Sequence, residues 1–331
     1  MNHQRLVVPV LLVLTSVSIA CSRQNRSGAL SDPPKAIALE TKIPSTFTFV
    51  AYGDTRFHDP SDTVASNPPV RRALVAAIDR ERPAFVSIGG DIVYVGDSQD
   101  WGVWDSETAA WREHNIAVYP ALGNHDVKID LQKALANYFA RFPNLQGSRF
   151  YSVRTENTLM LILDSNQEEL AGPQGLWLRT QLSNIPSNVD FVFLVFHHPV
   201  YTSSSDEKTM GGGHSTRAAE GSLGQFLEQT QTKIRARLIV FNGHVHNYER
   251  HEHGGITYFV TGGGAAHAYP ITRKPEDLYQ DAGVNYHYLL AKVDHNHLTV
   301  TMNKLEVKDG KEVWTQPDQV SITAPLAVPA K

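Results

Sequence analysis

Two histidines separated by one residue follow a run of apolar and β-branched residues at 237–241. The sequence from 241 to 250 is FNGHVHNYER, in which Gly243 ends the run and His244 and His246 follow it. Residues two apart in an extended chain face the same side, so both imidazoles could hold a transition metal. Taken alone, the pair is equally consistent with a turn that carries two surface histidines, because a motif is a hypothesis until its context agrees.

Four further polar motifs follow apolar, strand-like runs upstream. They are Gly53-Asp54-Thr55-Arg56, Gly90-Asp91-Ile92-Val93-Tyr94, Gly123-Asn124-His125-Asp126 and His197-His198-Pro199. Ligand sites of open α/β sheets lie beyond the carboxyl ends of strands, so we expect these loops to meet. Their mixed oxygen and nitrogen ligands suit iron, manganese or zinc better than calcium.

These five motifs, in this order, resemble the calcineurin-like metallophosphoesterase superfamily. The segments GDIVY at 90–94 and GHVHNYER at 243–250 are most similar to its purple acid phosphatase branch. The resemblance covers roughly residues 47–303. It implies an α/β fold, a four-layer α/β/β/α sandwich of two mixed sheets with a dinuclear metal site at the strand ends. It also implies a phosphoric ester hydrolase in which a metal-bridging hydroxide attacks the phosphate ester.

The resemblance implies two ligand shells that share a bridging carboxylate, Asp91. Either His197 or His198 could be the ligand from its motif. His197 directly follows the predicted strand, and the family's ligand is the first histidine of this motif, which favours His197. The implied shells are Asp54, Asp91 and His246 for one ion, and Asp91, Asn124, His197 and His244 for the other.

The first motif departs from many relatives, which carry a histidine where this chain has Arg56. Tyr94 lies three residues after Asp91, where purple acid phosphatases have a metal-bound tyrosine. The resemblance therefore implies Tyr94 as a further ligand, and the alternative is a buried tyrosine with a hydrogen bond. With Tyr94 bound, the expected ions are iron with zinc or manganese; without it, a divalent manganese or zinc pair is expected.

By the same resemblance, His125 faces the substrate and protonates the leaving oxygen; the alternative is a supporting role behind the ligands. Asp126 is a candidate to orient His125. Three further residues are candidates for substrate contacts: Arg56, which could equally be a solvated loop charge, His198 and His267.

The 331 residues, 41% of them hydrophobic, allow one large domain or two small ones. Strand and helix patterns alternate in the first half and strands dominate the end, which favours one domain at 46–315. Asn67 and Asp100 are predicted to cap the first two helices. We expect residues 201–220, a Ser- and Gly-rich loop, to border the site, and residues 316–331 to form a loose tail. The predicted strands are 47–52, 85–88, 117–119, 159–163, 191–196, 237–241, 257–261, 288–293 and 298–303.

The first twenty residues resemble an export signal. Arg5 precedes a short apolar stretch at 6–19, which is shorter than the ~20 residues of a membrane-spanning helix. Cys21, the only cysteine, follows Ala20 as at a bacterial lipoprotein junction, although Ser18 replaces the usual leucine. Plain secretion is the alternative. Residues 21–45 are expected to be a flexible tether.

These features predict an exported protein of the bacterial envelope, periplasmic or an outer-membrane lipoprotein, whose membrane contact is through a lipid on Cys21. The formal charge of −4 and the lack of a long basic run argue against nucleic acid as a partner. The predicted activity is hydrolysis of phosphomonoesters. The alternatives are a phosphodiesterase and a non-catalytic metal- or phosphate-binding surface protein. Because binding alone needs no proton donor, His125 argues against the latter.

Overall fold

The computed structural model describes residues 36–205 and 214–326. The predicted signal peptide, Cys21 and most of the predicted tether lie outside the described residues. The strands are β1 (Ile37–Glu40), β2 (Thr46–Tyr52), β3 (Phe85–Ile88), β4 (Ala117–Pro120), β5 (Tyr151–Arg154), β6 (Thr158–Ile162), β7 (Phe191–Phe196), β8 (Arg237–Asn242), β9 (Tyr248–His253), β10 (Ile256–Thr261), β11 (Tyr286–Asp294), β12 (His297–Lys308), β13 (Lys311–Thr315) and β14 (Gln319–Thr323). The α-helices are α1 (Pro68–Glu81), α2 (Ser98–Glu107), α3 (Ala109–Glu113), α4 (Leu131–Arg141), α5 (Gly172–Ser183) and α6 (Ala218–Gln231).

The strands form two mixed sheets. The order in the first is β1-β5-β6-β7-β8-β10-β9, and the order in the second is β13-β12-β11-β2-β3-β4, with β14 also paired to β12. In the first sheet β6, β7, β8 and β10 run parallel to one another, and in the second β2, β3 and β4 do so. Each sheet therefore presents a set of carboxyl strand ends at one edge, as the predicted loops require.

Neighbouring residues of one strand show which layers lie on the two sides of the first sheet. Phe193 of β7 contacts Phe49 of β2, with ring centroids 5.0 Å apart, so this face of the first sheet meets the second sheet. The next residue, Leu194, points the other way and is buried with Leu178 of α5 and Leu223 of α6. Because consecutive strand residues face opposite sides, the first sheet lies between helices and the second sheet.

The second sheet has the same arrangement. Tyr52 of β2, on the face opposite Phe49, contacts Trp111 of α3, with ring centroids 6.3 Å apart. The Trp111 indole N–H donates to the Val75 carbonyl of α1, 3.1 Å away, which ties two covering helices together. The two helical layers and two sheets confirm the predicted four-layer α/β/β/α sandwich.

Two local predictions differ from the structure. The N-cap of α2 is Asp97, whose side chain accepts from the Asp100 backbone. Asp100 lies inside the helix, where its carboxylate accepts from the Val95 N–H and contacts the His58 imidazole. The predicted cap therefore has a different role, because an aspartate three residues earlier satisfies the first helical N–H groups.

The sheets also extend beyond the predicted domain limits at 46 and 315. Strand β1 lies within the predicted tether and pairs with β5, and β14 lies within the predicted tail and pairs with β12. Both strands are short edge additions, of four and five residues, so they carry little local signal. No helix in the described ranges combines the length and apolar composition needed to cross a membrane.

Candidate metal centre

Three of the predicted ligands have a left-handed backbone. The φ angles of Asp54, Asp91 and His244 are 57°, 51° and 69°. Such angles are uncommon outside glycine, and residues that hold them cluster at functional sites. Hydrogen bonds between the loops keep them in place, since the Asp54 N–H donates to the Gly90 carbonyl and the His244 N–H to Asp54 Oδ2, at 3.0 and 2.8 Å.

One buried group consists of Asp54, Asp91 and His246, whose ligand atoms lie within 4.8 Å of one another. Asp54 Oδ1 and His246 Nε2 are 3.6 Å apart, and neither has a hydrogen-bond partner among the described residues. His246 Nδ1 lies 2.8 Å from the His267 carbonyl oxygen. Because a carbonyl only accepts, Nδ1 carries the proton and Nε2 presents a lone pair. Two buried acceptors that face each other would be satisfied by a cation.

A second buried group consists of His197, His198 and His244, again with ligand atoms within 4.8 Å. His197 Nδ1 donates to the Gly89 carbonyl at 2.9 Å, so His197 Nε2 presents its lone pair. That nitrogen lies 3.0 Å from Asn124 Oδ1, 3.2 Å from His244 Nδ1 and 3.4 Å from Asp91 Oδ1. The structure thus brings Asn124, His197 and His244 together beside Asp91, as expected of a second ligand shell.

His198 lies behind His244 rather than beside Asp91. Its ring centroid is 4.4 Å from that of His244, and Ser165 Oγ lies 2.8 Å from its Nδ1. Burial lowers the pKa of His198, so the ring is neutral at neutral pH. Between the two histidines of this motif, His197 has the geometry of a ligand to an ion held with Asp91.

The extended-chain argument for His244 and His246 is wrong in detail. Strand β8 ends at Asn242, and the positive φ of His244 turns the chain before β9 begins. The two imidazoles therefore enter different groups, His244 beside His197 and His246 beside Asp54. A turn, not a strand, brings both histidines to the centre.

The charges of the centre also favour cations. Burial raises the pKa of Asp54, and the neighbouring Asp91 carboxylate raises it further. Burial acts in the same direction on Asp91, but its interactions with His197, His125 and Arg56 hold its pKa below its usual range. Two carboxylates buried side by side repel each other unless positive charge lies between them. The donor set and its burial therefore fit a transition-metal centre.

His125 and Arg56 border this centre. His125 Nδ1 donates to the Tyr94 carbonyl at 2.7 Å, which turns His125 Nε2 toward Asp91 Oδ2, 4.0 Å away. A guanidinium nitrogen of Arg56 lies 2.9 Å from His125 Nε2 and 3.2 Å from Asp91 Oδ2. Burial lowers the pKa of His125. The structure places Arg56 inside the site and not on a solvated loop surface.

The predicted orienting role of Asp126 is not what its contacts show. Asp126 accepts from the Gly123 and Val93 backbone N–H groups at 2.8 and 3.1 Å. The His125 imidazole is instead oriented by the Tyr94 carbonyl. Burial, with the charge of Asp91, raises the pKa of Asp126 to about 8. Asp126 thus joins two site loops, a function that residue order alone did not distinguish from contact with its neighbour.

Tyr94 lies on the His125 side of the centre. Its ring centroid is 5.1 Å from that of His125 and 4.9 Å from that of His58. Arg56 and Lys128 place their cationic groups 5.8 and 5.0 Å from the same centroid. These ring contacts do not include the ligand groups around Asp54, so the role of Tyr94 as a metal ligand stays a prediction.

The end of the predicted site loop reaches the centre. The His214 ring centroid is 4.8 Å from that of His244 and 5.5 Å from that of Tyr269. Tyr269 in turn lies 5.4 Å from the His246 ring. His267, a predicted substrate contact, is exposed, and its carbonyl orients His246. Sequence reasoning did not single out Tyr269 or Ser165, because single polar residues in loops carry no spacing signal.

The backbone packs closely around the three consecutive glycines at 262–264. A methyl group on Gly262 would overlap the Val245 carbonyl oxygen and lie 2.8 Å from Asp54 Oδ2. On Gly243 it would lie 2.5 Å from the same carboxylate oxygen. The absence of a side chain at Gly243 and Gly262 therefore leaves space for the Asp54 carboxylate.

Comparison with known proteins agrees with this geometry. The model of the family described as calcineurin-like phosphoesterase matches residues 47–248. A phosphoenolpyruvate phosphatase from Allium cepa is 28% identical in a 221-residue alignment that covers 60% of this chain and 43% of that protein. The chain thus spans less than half the length of this curated relative.

Solved structures share the fold. A purple acid phosphatase from yellow lupin (Lupinus luteus) seeds superimposes with a TM-score of 0.62 at 16% identity, covering 87% of this chain and 58% of that one. A dimetal phosphatase from Danio rerio gives a TM-score of 0.54 at 15% identity, covering 84% and 99%. At these identities the likeness concerns the fold.

Proposed function

Because this chain belongs to the calcineurin-like phosphoesterase family, we propose that it is an exported, metal-dependent phosphoesterase that hydrolyses phosphomonoesters with two metal ions. One observation carries the proposal. Two buried groups of metal-binding side chains lie next to each other, and Asp91 belongs to the first while its Oδ1 stands 3.4 Å from His197 Nε2 of the second. A carboxylate in that position can serve both ions.

Two bound metal ions would lower the pKa of a water between them and neutralise charge on the phosphoryl oxygens. Asp54, Asp91 and His246 would hold one ion. Asn124, His197 and His244, together with Asp91, would hold the other. These ligands suit iron paired with zinc or manganese, or a divalent manganese or zinc pair.

His125 is the proposed general acid. Its Nδ1 is fixed on the Tyr94 carbonyl, so its Nε2 faces the space beside Asp91 where an ester would bind. A proton on that nitrogen would pass to the leaving oxygen as the ester bond breaks. Arg56, which contacts both His125 and Asp91, would place positive charge beside the phosphoryl group.

The preference for monoesters is supported by the onion relative, which is a phosphoenolpyruvate phosphatase. A phosphodiesterase on the same site is the alternative. The test is an assay of the purified protein with a monoester, 4-nitrophenyl phosphate, and a diester, bis(4-nitrophenyl) phosphate. Each is measured with added Mn²⁺, Zn²⁺ or Fe²⁺ and after treatment with EDTA. We expect metal-dependent monoester hydrolysis. Faster diester cleavage would favour the alternative, and no cleavage of either ester by metal-loaded protein would indicate a binding protein.

Export is a separate part of the proposal, and it is supported by the sequence of residues 1–21. Wild-type protein in its native host should fractionate with the envelope membranes, and Cys21→Ser should become soluble. If the wild type is soluble and unacylated, plain secretion replaces lipid attachment. Cell fractionation followed by immunoblotting distinguishes the two outcomes.

A further inference from the structure

The ring of Tyr94 carries two cations beside the metal centre. The Lys128 ammonium nitrogen lies 5.0 Å from the ring centroid, and the Arg56 guanidinium carbon lies 5.8 Å from it. The same ring is 5.1 Å from His125. Lys128 and His125, the proposed proton donor, therefore contact the same ring.

The Lys128 ammonium group has no ion-pair partner among the residues that the structure describes. No carboxylate in residues 36–205 or 214–326 lies within 4.0 Å of its ammonium group. The two acids of its own loop are engaged elsewhere. Asp126 accepts from the Val93 and Gly123 backbones, and Asp130 caps α4 and pairs with Lys133 at 3.5 Å. An exposed ammonium held on an aromatic ring can bind an anion without first breaking an ion pair.

The backbone fixes this lysine to the catalytic loop. The Lys128 N–H donates to the His125 carbonyl at 3.2 Å. The next residue, Ile129, has a φ of 75° and is 86% exposed. This angle is an outlier for a β-branched residue. The turn leaves the apolar Ile129 side chain exposed, while the Lys128 side chain lies against the Tyr94 ring.

We propose that Lys128 is a specificity residue that binds a carboxylate on the substrate, so that the site prefers small phosphomonoesters whose leaving group carries a carboxylate. A single ammonium group matches one negative charge, whereas a second phosphate would be matched better by the bidentate arginine. The inference rests on the proposed phosphomonoesterase function and adds the class of its substrate.

The first test compares phosphoglycolate with phosphoglycolamide, which has about the same size but carries a neutral amide in place of the carboxylate. The ratio of kcat/KM for the acid to kcat/KM for the amide should fall about fivefold to tenfold in Lys128→Met. Lys133→Met is the matched control, since Lys133 is 83% exposed in the neighbouring helix and the change removes the same charge. Its ratio should stay within about twofold of wild type, and Lys128→Arg should recover part of the loss. An unchanged ratio in Lys128→Met overturns the inference.

A binding measurement separates this inference from the proposed activity. Calorimetric titration of the metal-loaded protein with phosphonoacetate and phosphonoacetamide needs no turnover. Lys128→Met should weaken phosphonoacetate binding by about fivefold to tenfold relative to its effect on the amide. Equal effects on both ligands overturn the inference even if the enzyme is active. Selective weakening without any hydrolysis would support the anion site and refute the proposed activity.

Discussion

Asp54 Oδ1 and His246 Nε2 face each other at 3.6 Å, both buried and both without a hydrogen-bond partner in the part of the chain that the structure describes. An unsatisfied buried polar atom destabilises the folded state by about 1–3 kcal/mol, and here this applies to each of the two acceptors. A metal ion between them would satisfy both atoms and offset the repulsion between Asp54 and Asp91. The metal-dependence predictions follow from this relationship.

The protein should bind close to two transition-metal ions, and Asp91→Asn should be the most damaging ligand change. This carboxylate stands between the two groups, so its loss weakens both shells. We expect lower metal content and a fall in kcat/KM of at least about 100-fold. Elemental analysis beside the phosphatase assay measures both quantities. Asp105→Asn, which removes a half-exposed carboxylate outside the centre, is the control. Full metal content in Asp91→Asn would contradict the bridging role.

His125→Ala should keep the metals and lower the rate by roughly 10²–10⁴-fold. The loss should be smaller for 4-nitrophenyl phosphate than for an alkyl phosphate, because nitrophenolate leaves without a proton. Rates for a series of leaving groups give the comparison. An equal loss across the series would mean that His125 positions other groups and does not donate the proton.

Tyr94→Phe tests the remaining predicted ligand. If Tyr94 binds Fe(III) as a phenolate, iron-loaded wild type should be coloured, and the variant should lose the visible band while it keeps its fold. Visible absorption and circular dichroism measure the two properties. If the variant keeps the band, or if active, iron-loaded wild type has none, Tyr94 is not a ligand. Tyr94 would then act through its ring contacts, including those with His125, Arg56 and Lys128.

Gly262→Ala should disturb the centre without touching a ligand. The added methyl group would overlap the Val245 carbonyl oxygen and press on the Asp54 carboxylate. We expect a lower melting temperature and reduced metal content. Gly221→Ala is the matched control, because a methyl group there meets no atom within 4 Å and helix α6 should gain stability. A Gly262→Ala protein with normal metal content would show that the loop can move aside.

His287 should make stability depend on pH. Burial lowers its pKa from 6.5 to about 4 in the folded protein. As the pH falls through this range the unfolded state binds a proton first, so the contribution of His287 to the free energy of unfolding is full above pH 6.5 and is lost toward pH 4. The loss is roughly 3 kcal/mol.

Denaturant unfolding of wild type and His287→Gln, at the same metal loading, isolates this effect. The variant should be less stable at pH 8, because contacts with Thr261 and Asn285 are altered. Its stability should then fall less between pH 6.5 and 4. Parallel curves for the two proteins would rule out His287 as the group responsible.

The motifs and their order are visible in the local sequence, whereas the assignment of their residues as metal ligands comes from the family resemblance and stays a prediction. Each motif is a short apolar strand followed by polar residues, so the strand and its loop are encoded by adjacent positions, as at Phe191–Phe196 before His197. The N-cap of α1 by Asn67 is local in the same way. Strands β1, β5, β9, β13 and β14 were not predicted, and for β1 the reason is that its pairing partner lies far away in the chain.

Which side chains share a site was decided by the tertiary structure. His244 and His246 are two residues apart, yet a left-handed turn sends them to different groups. Asp126 and His125 are adjacent, yet the Asp126 carboxylate accepts from the Val93 and Gly123 backbone N–H groups, whereas the His125 imidazole donates to the Tyr94 carbonyl. Lys128 carries no motif and becomes relevant only because its loop packs over Tyr94. Residue order specifies which groups are available, but the distances between them are set by the pairing and packing of two sheets whose strands are far apart in sequence.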